Sequence, residues 1–223
     1  GNVPMSDIMK SICAVEGVEA AGVKEGKYGL ALIRASGTGA AVFTKNRVRA
    51  PVVNLMAERT LRGKLDGVIV NSGCANAYTG KRGFEDAKTM AQIGAEALGI
   101  DEMNCGVAST GVIGRYLDLD LIRRQTAAVA PNLAHSAAAE DAAARAIMTT
   151  DTVPKHALVR ADGFTVAGIC KGSGMIAPNM GTMLSFVYTD ADVPADTLRE
   201  CLRTAVNRSL NRVVVDGDES TND

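Results

Sequence analysis

The residues best suited to covalent chemistry are Gly181 and Thr182, inside the run Lys171-Gly172-Ser173-Gly174-Met175-Ile176-Ala177-Pro178-Asn179-Met180-Gly181-Thr182-Met183-Leu184. A hydroxyl stands directly after a residue without a side chain and ahead of an apolar, β-prone stretch (Met183, Leu184, Phe186, Val187, Tyr188). The Thr182 hydroxyl can attack the Gly181 carbonyl and move the acyl group from nitrogen to oxygen. Hydrolysis then leaves a threonine with a free α-amino group. Such an amine titrates near ~7.7–8.0, so at neutral pH part of it is unprotonated and can act as base for the hydroxyl beside it. Threonine paired with its own amine is a known form of activated nucleophile. The same letters also describe a glycine turn that opens a buried strand, and taken alone they favour that plainer reading.

Other segments offer groups to support such a nucleophile. Ser109-Thr110-Gly111-Val112-Ile113-Gly114 sits at a strand end with a hydroxyl beside an unhindered backbone N–H, the two donors an oxyanion hole needs; an ordinary glycine turn explains the letters equally well. Lys171 can pair with a substrate carboxylate or stabilise developing charge, although most lysines are simply solvated. Its glycines do not form a phosphate loop, because the lysine comes first instead of last. Thr149, Thr150, Asp151 and Thr152 close an alanine-rich helix, where they either satisfy terminal carbonyls or recognise a polar substrate. In Asn71-Ser72-Gly73-Cys74-Ala75-Asn76-Ala77 the asparagines brace a turn or bind a ligand, and Cys74, without a partner base, reads as a buried structural thiol. Asp216-x-Asp218-x-Ser220 lacks the glycine and the glutamate of a calcium loop.

The elements that must position these groups alternate short β-prone runs with longer helical ones. Residues 29–34, 40–44, 68–71, 105–108, 164–170, 182–189 and 213–215 read as strands. Residues 85–98, 118–129, 137–147 and 194–210 read as helices, with Gly99 as a stop signal and Pro194 suited to a first turn. The alanine-rich helix at 137–147 is expected to pack closely against a neighbour. The fold class is α+β, with helices layered on central mixed or antiparallel sheets.

Composition narrows the function. With 47% apolar residues and a net charge of −1, the chain has no long-range field for nucleic acid or anionic membrane, and no apolar run approaches the ~18–20 residues of a membrane span. Five scattered cysteines, an odd number, fit a reducing, cytoplasmic setting. Two histidines, His135 and His156, stand at no metal-ligand spacing, so no metal is expected and a Ser-His-Asp mechanism is disfavoured. The polar turn at 216–223 ordinarily precedes another element, so a truncation after Asp223 is expected.

Taken in order, these segments resemble the ornithine acetyltransferase family: Gly22-Val23-Lys24, Val42-Phe43-Thr44-Lys45-Asn46, the Asn71 and Ser109 segments, 148–155, Lys171-Gly172-Ser173-Gly174-Met175, Thr182-Met183-Leu184 and 216–223. The resemblance implies a precursor that cuts itself between Gly181 and Thr182 into associated α and β chains. Residues 1–181 would be α-like and 182–223 the start of the β chain. Thr182 would take acetyl from N2-acetyl-L-ornithine as an ester and pass it to L-glutamate, a step of arginine biosynthesis. Thr110 and Gly111 match the oxyanion pair, and Thr150, Lys171 and Thr182 match substrate-contacting positions. No cofactor is implied, and acetyl-CoA is a further donor in bifunctional members. The fold would be similar in architecture to N-terminal-nucleophile hydrolases with its own topology, assembled as a heterotetramer of two αβ units.

Two departures stand out. Where the family usually has alanine before the cut bond, this chain has Gly181, which holds the strained conformer less rigidly and predicts slower scission. The family's β chain also continues beyond Asp223 and supplies a glutamate and C-terminal polar residues to the site. The competing readings are an amidase or aminopeptidase of the same architecture, and a non-catalytic precursor fragment.

Overall fold

A strand with apolar residues at consecutive positions must be covered on both faces, and β2 (Tyr28–Thr38) and β3 (Lys64–Cys74) are such strands. The computed structural model describes residues 11–172, 183–209, 220 and 222. Leu30 and Leu32 enter one core while Ala31 and Ile33 enter another; Ile69 belongs to the first, Val68 and Val70 to the second. These two strands lie at the centre of a four-stranded sheet with β1 (Glu19–Glu25) and β4 (Cys105–Val112), in the order β1-β2-β3-β4. β1 and β3 run antiparallel to β2, and β4 runs parallel to β3.

The first core is closed by α1 (Pro51–Thr60), α2 (Gly80–Leu98) and α3 (Leu119–Val129). Ala87, Met90, Ala91, Gly94, Ala95 and Leu98 give α2 its buried stripe at helical spacing. Gly99 then ends the helix with φ of 67°, a left-handed conformation suited to glycine. A parallel pair needs a crossover, and α2 is the helix that carries the chain from β3 to β4. Asp118 caps α3 by accepting from the Leu121 N–H at 3.0 Å.

The opposite face holds α4 (Ala137–Ala146) and an antiparallel sheet of β5 (Lys155–Ala161), β6 (Phe164–Lys171) and β7 (Leu184–Thr189). Ala167, Ile169 and Leu184 join the second core. The alanines of α4 let its backbone rest on the sheet. A Cβ at Gly22 would lie 2.4 Å from the Ala142 carbonyl oxygen, and one at Gly29 would lie 2.0 Å from that of Ala146. The close packing expected of this helix is thus found, and it accounts for Gly22 in the Gly22-Val23-Lys24 segment. α5 (Ala195–Arg208) follows β7, with Pro194 as its N-cap instead of a first-turn residue.

The architecture is α+β with one mixed and one antiparallel sheet, as the alternation of elements suggested. Residues 40–44 are a correction: they form no strand. The hydroxyl of buried Thr44 donates to the Ser220 carbonyl and accepts from the Asn46 N–H, so side-chain bonds stand where ladder bonds were expected. β1, α1 and β5 were not anticipated. The strand expected at 213–215 lies outside the described residues. Among the described residues no helix is long and apolar enough to cross a membrane.

Candidate active site

β4 and β6 end close together, and their last residues join the two sheets. Lys171, at the end of β6, is 1% exposed, and its Nζ donates to Thr110 Oγ1 at 3.0 Å; Thr110 is also 1% exposed. A hydroxyl that accepts from an ammonium must send its own proton elsewhere, and the cation makes it a stronger donor. Gly111 follows, exposed and with φ of 128°. A Cβ there would stand 2.4 Å from the Gly73 carbonyl carbon, so both the conformation and the space require glycine. Gly73 also borders a cleft of about 220 Å³ lined by Tyr28, Ser72, Arg115 and Tyr116 among others.

The turn after α4 is fastened to the same place. The carboxylate of Asp151, which has no exposed surface, accepts from Lys155 Nζ at 2.5 Å and from the Gly172 N–H at 2.8 Å. Lys155 Nζ also donates to the Gly172 carbonyl at 2.6 Å. Exposed Thr150 precedes Asp151, whose carboxylate binds the residue after Lys171. Burial alone would raise the Asp151 pKa, yet the bonds from Lys155 and Gly172 and the charges of Lys155 and Lys171 hold it below the ordinary 3.8. Lys24 completes the cluster by donating to Ser72 Oγ at 2.9 Å and to the Met148 carbonyl. Burial lowers its pKa, and Asp151 opposes that shift. Asp151 does not satisfy the terminal carbonyls of α4: it pairs across to Lys155 and Gly172.

The Asn71 segment braces the backbone. Asn71 Nδ2 donates to the Cys74 carbonyl at 2.9 Å, and Asn76, with φ of 52°, donates to the Gly83 carbonyl at 2.8 Å and accepts from Thr79. Cys74 is a buried thiol facing the carbonyls of Arg115 and Tyr116. All five cysteines are free, and burial pushes the Cys105 thiol up to about 12. His135 contacts the Val18 carbonyl and His156 contacts Glu140. Among the described residues, no group of three or more His, Cys, Asp or Glu side chains could hold a metal ion.

Thr110, Gly111, Thr150 and Lys171 are brought together. Gly181 and Thr182 lie outside the described residues. Leu184, two positions after Thr182, pairs with Lys171 across β6 and β7. Lys24, Lys155 and Asn222 were not singled out as site residues beforehand. Asn222 Nδ2 donates to the carbonyls of Ala75 and Ser109 at 2.6 and 2.8 Å.

The ArgJ family model matches residues 15–223. The glutamate N-acetyltransferase of Methanosarcina mazei is 54% identical over 221 residues, 98% of this chain and 56% of that protein. The arginine biosynthesis bifunctional protein ArgJ of Archaeoglobus fulgidus is 47% identical over 212 residues, 95% of this chain and 55% of that protein. The chain spans about half the length of these curated relatives. A crystal structure of the bifunctional protein ArgJ from Bacillus halodurans superposes with a TM-score of 0.69 at 38% identity, over 79% of this chain and 95% of that one. The ornithine acetyltransferase of Mycobacterium tuberculosis, solved with ornithine, gives 0.73 at 36%, over 79% and 97%. The chain therefore shares the fold of these enzymes, which is similar to that of N-terminal-nucleophile hydrolases.

Proposed function

We propose, from the premise that the chain belongs to the ArgJ family, that it carries the nucleophile and oxyanion donors of an acetyltransferase moving acetyl from N2-acetylornithine to glutamate. The chain is cut between Gly181 and Thr182, and residues 1–181 and 182–223 then belong to separate α and β chains. The freed Thr182 amine takes the proton of its own hydroxyl, and Oγ1 attacks the acetyl carbonyl. The Thr110 hydroxyl and the Gly111 N–H receive the oxyanion, with Lys171 behind Thr110. Collapse breaks the C–N bond, ornithine leaves with the proton, and an acetyl ester remains on Thr182. The glutamate amine then attacks that ester and restores the threonine.

The observation that carries this reading is the buried contact between Lys171 and Thr110, at a place where Leu184 lies opposite Lys171 and Asp151 binds Gly172. Lys24, Lys155 and Lys171 gather around one buried carboxylate, which suits substrates bearing carboxylates; Lys171 and Thr150 are the substrate contacts of this proposal. The solved chains are covered to 95% and 97%, whereas the curated relatives are covered to about half. A family whose members are cut into two chains would give that difference. The cut chains stay associated, as two αβ units, in the cytoplasm, where five free thiols are stable.

Incubation of the full-length, matured enzyme with acetylornithine should leave one acetyl group on the peptide starting at Thr182-Met183-Leu184, read by mass spectrometry. An unmodified peptide under trapping conditions counts against the proposal. Glutamate should accelerate ornithine release over the water reaction; if it does not, the chain is an amidase. An intact mass without scission identifies an uncut, inactive precursor. Acetyl-CoA supplied without acetylornithine should yield acetylglutamate only if the enzyme is bifunctional.

A further inference from the structure

We infer that Asn222 is a positioning residue for the oxyanion turn, so that a residue downstream of the Gly181–Thr182 bond sets the geometry of Thr110 and Gly111 upstream of it. The inference rests on reading those two residues as the oxyanion donors. Asn222 is 6% exposed, and one side-chain nitrogen donates to two carbonyls, Ala75 at 2.6 Å and Ser109 at 2.8 Å. The Ser109 carbonyl belongs to the same rigid peptide plane as the Thr110 N–H, so holding that oxygen fixes the plane from which Thr110 projects.

Asn222 bridges the regular part of the ladder, at Ser109, and the residue just past its end, Ala75. β3 and β4 pair in steady register from Gly67 and Cys105 to Gly73 and Gly111, and the register then shifts at Cys74. Ala75 is joined to β4 by its N–H to the Val112 carbonyl at 2.9 Å. A buried carbonyl that no strand can satisfy costs about 1–3 kcal/mol unless another donor reaches it. Asn222 supplies a donor to Ala75, the residue after β3, and at the same time holds Ser109 of β4.

Asn222 itself is held in place. Its backbone N–H donates to Ser220 Oγ at 3.0 Å, and the Ser220 carbonyl accepts from Thr44 Oγ1 at 2.9 Å and Asn46 Nδ2 at 3.3 Å. Thr44 and Asn46, which have no role in the chemistry proposed above, thereby seat Ser220, and through it Asn222. Amide chemistry is specific here: an aspartate at 222 would set a charged oxygen against two carbonyl oxygens.

The test uses full-length, matured enzyme, with rates expressed per cleaved chain by intact mass. Asn222→Ala should lower kcat on the order of 10–10²-fold, short of the ~10²–10³-fold for outright loss of an oxyanion donor, with KM for acetylornithine within about twofold. Asn222→Asp should be worse. Because Asn222 acts through Thr110, adding Asn222→Ala to Thr110→Ala should cost less than about threefold more. Full multiplicative loss in the double variant overturns the inference, as does a raised KM at unchanged kcat. Wild-type rates in Thr110→Ala strike the donor assignment itself. A crippled Thr110→Ala beside a fully active Asn222→Ala strikes the inference alone. If Asn222→Ala does not fold, Asn222→Ser serves: amide exchange at Thr110 and Gly111 should quicken while the rest of β4 stays protected, and unchanged exchange there overturns the inference.

Discussion

The two ends of the parallel β3–β4 pair handle buried charge differently. At the end where both strands begin, Arg59 (3% exposed) bonds the carbonyls of Glu102 and Cys105 and pairs with the Glu102 carboxylate, while Lys64 and Asn104 meet Asp66. Two cations face two carboxylates, and the cluster ties α1 to β4. At the other end, Lys24, Lys155 and Lys171 act on a single carboxylate, Asp151. Among these described residues, the first end is balanced in charge, and the second keeps excess positive charge around a polar hydroxyl. Balanced pairs hold a fold together; an unbalanced set makes room for an anion that is not part of the chain.

Exchanging charge at each end should separate the two roles. Lys171→Met should have the largest effect, cutting kcat/KM for acetylornithine on the order of 10²–10³-fold, because Thr110 loses the cation that polarises it. Arg59→Met should leave kcat/KM within about twofold and destabilise the protein by ~3 kcal/mol, since it strips a buried pair and its carbonyl bonds. Urea unfolding followed by assay of the folded enzyme measures both, and a large activity loss would erase the contrast between the ends. Asp151→Asn should cost about 2 kcal/mol, less than a fully buried pair because Lys155 stays 38% exposed. The folded Asp151 pKa is depressed, so its stabilisation is complete above the ordinary 3.8 and lost as pH falls through the folded value; the Asn variant should lack that acid dependence.

His156 gives the smallest effect and the opposite sign. Its hydrogen bond to Glu140 at 2.6 Å, opposed by burial and helped by the charges of Glu140 and Asp141, raises its pKa above the ordinary 6.5. The stabilisation is complete below 6.5 and disappears as pH rises through the folded value. His156→Gln should therefore flatten the pH dependence of Tm on the alkaline side of 6.5. A wild-type Tm that climbs between pH 6.5 and 8 would contradict this.

Central elements were legible because their side chains report burial directly. The apolar runs of β2 and β3 and the helical stripe of α2 leave no alternative partner for so much apolar surface. β1 escaped notice because Ala20 and Gly22 are small on the face that meets α4 and Ala21 is small on the other, and small residues carry no strand signal. Residues 40–44 misled for the converse reason, since the β-prone letters there are half-buried without a ladder and buried Thr44 bonds to Ser220 instead. At the site, the chemically able residues Thr110, Lys171 and Thr150 could be named from type and resemblance. Their supports could not, because the bonds of Asp151 to Gly172, Lys24 to Met148 and Asn222 to Ser109 join residues 21, 124 and 113 positions apart. Only folding creates such neighbours.

The seat of α4 on Gly22 and Gly29 has one more effect. Where main chain lies on main chain, no rotamer can change to absorb a small displacement. The sheet thus works as a jig for the segment that leaves this helix, and an added methyl beneath it would push the helix backbone itself and displace the turn that carries Thr150 and Asp151.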